Sequence, residues 1–168
     1  MKKFFKYLIL YYLVGILPLS LISKNNVFQK IQNTVEYKGN DLIFAIFLNL
    51  GDCQKCIQIP LSLYECSLRN IDKTNDSLKF KKLAIVKSNR EVELKRFRKI
   101  YNWDGYCFFN DGSVQKELGL PNNVWFSIFY LDTCLYYNTY ESSYEQTLNC
   151  DSLTNLLREI ILQIERRK

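Results

Sequence analysis

The sequence predicts an α/β domain with a mixed sheet, and three observations carry that prediction. Apolar runs of strand length occur at Asp41–Asn49, Leu83–Val86 and Val124–Leu131. Between and after them lie segments whose apolar residues recur every three or four positions, the spacing of a helix that buries one stripe. The chain has 168 residues with only six Gly and three Pro, which suits one folded core rather than a repeat or low-complexity array.

In order, Lys38-Gly39-Asn40 reads as a turn, and the run DLIFAIFLN over Asp41–Asn49 follows as a strand buried on both faces. Gly51-Asp52 breaks it. From Cys53 to about Arg69 the residues Cys56, Ile57, Leu61, Tyr64 and Leu68 form a helical stripe, with Pro60 as a kink or late start. Leu78–Lys87 is the second strand, and Ser88 to Glu91 has the spacing of a capping box that opens a helix reaching about Tyr101. A short strand at Tyr106–Phe109, a turn at Asn110-Asp111-Gly112 and a brief helix at Ser113–Leu118 ended by Gly119 come next. Pro121 introduces the β-prone Val124–Leu131, which turns at Asp132-Thr133 into a hairpin partner at Cys134–Tyr140. Asp151 or Ser152 caps a last helix with Leu153, Leu156, Leu157, Ile160, Ile161 and Ile164 on its inner side.

The composition excludes several chemistries. There is no His, so a histidine general base, a Ser-His-Asp or Cys-His nucleophile and a His-ligated metal site are all ruled out within this chain. The net charge of +6 is unevenly spread. Residues 1–23 carry Lys2, Lys3 and Lys6 without an acid, residues 79–99 hold nine bases against Glu91 and Glu93, and residues 104–151 hold seven acids against Lys116. Such a dipolar pattern is not a uniform phosphate-binding surface, and no nucleic-acid partner is expected.

The same N-terminal lysines precede 16 uncharged residues, Tyr7–Ile22, as in a secretory leader. Residues 1–23 are therefore read as a signal peptide or a membrane anchor, the first if cleavage follows Ser23 and the second if the segment is retained. The positive-inside rule sends residues 24–168, the folded domain, to the periplasm or outer face of the membrane. Export makes disulfides permissible, and all six cysteines lie beyond the leader. Cys53 and Cys56 form a C-x-x-C, while Cys66, Cys107, Cys134 and Cys150 allow three pairings between which spacing does not choose.

A C-x-x-C that follows a buried strand and starts a helix has chemical meaning. Unpaired amides and the helix dipole favour a thiolate at the first sulfur, and the second lies a turn inward, within reach. In DLIFAIFLNLGDCQKC, YCFFNDGSVQKELGLP and LGLPNNVWFSIFYLD the chain resembles the thioredoxin-like superfamily, in particular its exported TlpA-like and AhpC/TSA-type redoxins. The resemblance implies a three-layer α/β/α domain with a central mixed sheet behind the leader helix. It further implies that Cys53 is the nucleophile, Cys56 the resolving thiol, and Pro121 the groove proline, usually cis, that faces them. Lys55 favours the Cys53 thiolate and Asp52 opposes it. Exchange with protein thiols or disulfides is the function implied, with no cofactor or metal. Membrane contact is confined to an uncleaved leader. The alternative reading is a redox-inactive thioredoxin-like envelope protein that binds a partner and keeps the pair as a structural disulfide.

Overall fold

The computed structural model describes residues 26–39, 41–72, 79–139 and 149–166. The leader at 1–23 lies outside them. Helix α1 covers residues 26–34. It is followed by β1 (Leu42–Asn49), α2 (Gln54–Asp72), β2 (Phe80–Lys87), α3 (Glu93–Tyr101), β3 (Tyr106–Asn110), α4 (Val114–Leu118), β4 (Val124–Tyr130), β5 (Thr133–Thr139) and α5 (Cys150–Glu165).

The five strands form one sheet in the order β3-β2-β1-β4-β5. β1 pairs in parallel with β2, from Leu42 opposite Phe80 to Asn49 opposite Lys87, and β2 pairs in parallel with β3. β4 runs antiparallel to β1 and β5 antiparallel to β4. The sheet is thus mixed, and β1 is its central strand. Its period of two divides the core. Leu42, Phe44, Ile46 and Leu48 pack against α2 and α5, whereas Ile43, Ala45 and Phe47 pack with Val27, Phe28, Ile31 and Val35 of the N-terminal segment. Because both faces are covered, β1 is apolar from Leu42 to Leu48, as the three-layer α/β/α arrangement requires.

Helix α1 is absent from the sequence reading. Its buried residues stand at 27, 28 and 31, with Val35 just beyond its end, so a helical spacing is present, but it abuts the leader. The capping box expected at Ser88–Glu91 does not form. The Ser88 hydroxyl donates to the Arg90 carbonyl at 3.0 Å, which closes a loop, and α3 begins only at Glu93 with Val92 as an N-cap that lacks a side-chain acceptor. At α5 the cap is Asn149 rather than Asp151 or Ser152. Asn149 has the extended backbone a cap needs and accepts from the Ser152 amide at 2.8 Å, while the Ser152 hydroxyl accepts from the Asn149 amide at 3.0 Å. Gly119 ends α4 as expected, in the left-handed conformation that glycine adopts without steric cost.

Tyr64 fastens α2 to the sheet. Its buried hydroxyl donates to the Phe44 carbonyl at 2.6 Å and accepts from the Leu83 amide at 3.3 Å, so one phenol bridges β1 and β2. Burial pushes its pKa well above the ordinary tyrosine value, which keeps the O–H protonated as a donor. α2 also lies beside α5, and the Cys66–Cys150 disulfide joins them with Cα atoms 5.8 Å apart. Of the three pairings open to the four remaining cysteines, the fold forms this bridge and leaves Cys107 and Cys134 as free thiols. Those two stand in β3 and β5, at opposite edges of the sheet, and neighbouring strands lie about 4.8 Å apart, so they cannot meet.

Candidate functional site

Parallel strands β1, β2 and β3 end together at Asn49, Lys87 and Asn110, and the loops that leave them form the site. Asn49 organises the first loop. Its side-chain oxygen accepts from the Gly51 amide at 3.1 Å, its side-chain nitrogen donates to the Asp52 carboxylate at 3.1 Å, and its carbonyl accepts from the Asp52 amide at 3.0 Å. The Leu50 amide donates to the Lys87 carbonyl at 3.0 Å and ties the loop to β2. A Cβ on Gly51 would stand 3.3 Å from the Asn49 side-chain oxygen, so the turn has little space for a larger residue.

This turn delivers Cys53 to the position just before α2. Its sulfur accepts from the Cys56 backbone amide at 3.2 Å, the bond a capping side chain makes with an orphan N–H of the first turn. An amide dipole aimed at sulfur lowers the cost of negative charge there, so the geometry favours a Cys53 thiolate once the bond to Cys56 is opened. The two cysteines form a disulfide with Cα atoms 5.1 Å apart.

Both residues are exposed, which corrects the expectation that the second sulfur lies a turn inward. The inner stripe of α2 is Ile57, Pro60, Leu61, Tyr64 and Leu68, and Cys56 lies at the exposed edge of that stripe, in the first turn. Pro60 kinks nothing away from the core: it is itself buried, and it lacks the N–H that would otherwise bond the Cys56 carbonyl.

Two depressions flank the motif loop. The first, about 450 Å³, lies towards α3 and is lined by Leu50, Gly51, Lys87, Arg96 and Ile100 among others. The second, about 380 Å³, lies towards the loop before β4, with Asp52 and Lys87 on one side and Asn122, Asn123 and Val124 on the other. Pro121 does not line it. The bond between Leu120 and Pro121 is trans, against the cis bond that the resemblance implies. β4 carries an irregularity between Val124 and Phe126, and its first residue is preceded directly by Asn123. Asn122 and Asn123 of this loop line the depression, and sequence reasoning passed over them.

With the sheet order and the motif at the end of its central strand established, comparison with solved structures is decisive. The thioredoxin domain of a thiol-disulfide oxidoreductase from Bacteroides vulgatus matches with a TM-score of 0.50 and 12% identity, over 73% of this chain and 80% of that one. The fold is thioredoxin-like. No protein-family model and no curated protein matches the chain. Within the thioredoxin-like frame the C-x-x-C occupies the strand-to-helix turn of the central strand.

Burial pushes Cys134 up to about 11, and burial raises Cys107 as well against the opposing pull of Arg98. Among the described residues no group of three or more Cys, Asp or Glu is placed to hold a metal ion.

Proposed function

We propose that this protein is an exported thiol-disulfide oxidoreductase of the TlpA-like kind, exchanging disulfides with protein thiols through Cys53 and Cys56. The observation that carries the proposal is the exposed Cys53 sulfur at the start of α2, receiving the Cys56 amide at 3.2 Å. In the reduced form the Cys53 thiolate attacks a partner disulfide, forms a mixed disulfide and expels one partner thiolate, which takes a proton. The Cys56 thiolate then attacks the Cys53 sulfur, restores the Cys53–Cys56 disulfide and expels the second partner thiolate. Two electrons and two protons have passed to the partner, and the reverse sequence oxidises a dithiol. The basic, uncharged-run leader supports delivery of the domain across the membrane, as a cleaved signal or a retained anchor.

Two measurements test this reading. Alkylation and mass analysis across graded redox buffers should find the Cys53–Cys56 pair cycling within the range of known oxidoreductases, roughly −120 to −270 mV. A pair that stays oxidised below about −300 mV refutes catalysis and supports the redox-inactive envelope module instead. Separately, Cys56→Ser should trap a covalent complex on Cys53 when mixed with an oxidised protein partner.

A further inference from the structure

We propose that the cationic outer face of α3 docks an acidic segment of the partner protein beside its reacting disulfide. The inference rests on the oxidoreductase reading and deepens it, because it assigns the choice of substrate to charge next to the motif rather than to the cysteines. Lys95, Arg96 and Lys99 are all exposed, and their spacings of three and four place them on one side of the helix. Among the described residues none of the three makes an ion pair.

The neighbouring charges are already engaged. Arg98 donates to the Gly105 carbonyl at 2.7 Å, and Glu93 pairs with Arg90 at 3.6 Å. Glu91 is the remaining acid before the helix.

One edge of this face, at Arg96, reaches the depression beside the motif loop, while Lys95 and Lys99 lie outside its lining. Arg96 and Ile100, four residues apart, line the first depression together with Leu50 and Gly51, and Lys87 supplies a second cation on its far rim. Asp111 and Glu93 are the acids that line it with them; the Asp111 carboxylate accepts the Ser113 amide at 2.9 Å, and Glu93 is paired with Arg90. Ile100 is 53% exposed, an apolar contact placed between the cations and the motif loop. A concave surface of this kind fits an extended acidic segment that carries an apolar residue and ends at the partner's disulfide. A lipid surface, which is flat, would meet the helix and miss the cleft.

The experiment uses the full chain in its reduced form and two peptides with the same internal disulfide, one flanked by Asp and Glu, the other by Lys. Stopped-flow rates at 20 mM salt should favour the acidic peptide by about tenfold or more, and most of that preference should vanish at 0.5 M salt. In K95E/R96E/K99E the acidic-to-basic ratio should fall below one, and in the milder K95Q/R96Q/K99Q it should approach one. A cysteine-free acidic peptide, followed by fluorescence anisotropy, gives a readout that needs no turnover. It should bind in a salt-sensitive way and lose binding in both variants. Equal binding of acidic and basic peptides at low salt overturns the docking proposal even if the thiols cycle. Preferential binding to anionic phosphatidylglycerol vesicles, with no acidic-peptide preference, overturns it as well. Charge-dependent binding without any disulfide turnover supports the docking surface and refutes the oxidoreductase reading.

Discussion

Removal of the Cys66–Cys150 bridge isolates what one covalent link between α2 and α5 contributes. The cysteines are 84 residues apart in sequence, so in the unfolded chain the bond closes most of the domain into a loop. The chain-entropy relation for a loop of that size gives about 4.6 kcal/mol at 25 °C. For a domain spanning residues 24–168, unfolding entropy near 60 °C is about 0.3 kcal/mol/K, so the loss corresponds to a fall of roughly 15 °C in Tm. The comparison is Cys66→Ala, Cys150→Ala against the parent, both in a Cys53→Ser, Cys56→Ser background so that only the interhelical bridge differs. Urea unfolding followed by circular dichroism should show the lower midpoint together with a larger m value, because the unlinked unfolded chain exposes more surface. A loss below about 1 kcal/mol, or an unchanged m, would refute the account in which the bridge acts by restricting the unfolded state. A strained native bridge would give the first of these results.

Three further outcomes are expected. Tyr64→Phe leaves the Phe44 carbonyl and the Leu83 amide without their phenol partner in the core, and denaturant unfolding should show a loss of about 1–3 kcal/mol. In Gly105→Ala the new Cβ would stand 2.8 Å from the Lys82 carbonyl oxygen and from the Trp103 ring, so a loss of about 1–3 kcal/mol is expected on thermal melting, with the β2–β3 edge first to exchange amide protons. Cys134 is raised from 9.0 to about 11 in the folded protein, so the folded state holds its proton more tightly than the unfolded state does. Its contribution to stability is complete below about pH 9 and is lost as pH rises towards 11, and a Cys134→Ala variant should show a shallower decline over that window.

Much of this architecture is legible in the residues, for reasons that also explain the gaps. β1 and β4 are read correctly because their apolar runs are of strand length and bounded by turn residues, and α5 because six apolar residues repeat at three and four. The C-x-x-C is placed at a helix start because Gly51-Asp52 visibly ends the strand before it. Helix starts fail where the cap depends on local backbone shape. Ser88 spends its hydroxyl on the Arg90 carbonyl, and Asn149 outcompetes Asp151 because only it has extended backbone.

The loop before β4 is likewise shaped by its backbone. The loop from Gly119 to Val124 runs from a left-handed Gly119 to an irregular start of β4, and Asn122 and Asn123 line the same depression as Asp52. The Cys66–Cys150 pairing is a tertiary fact. It follows from α2 lying against α5, which no spacing reveals.

The phenol of Tyr64 sets a limit on how far a redox event propagates. To open α2 from its middle, the chain must break a buried bridge to two strands, a step that belongs with global unfolding. The turn from Cys53 to Ile59 lies outside that restraint, and Pro60 separates it from the rest by omitting one helical hydrogen bond. Amide exchange in oxidised and reduced protein should therefore differ over residues 53–59 and coincide from Tyr64 onward. The state of the disulfide would then register at the start of a helix whose remainder is held in place.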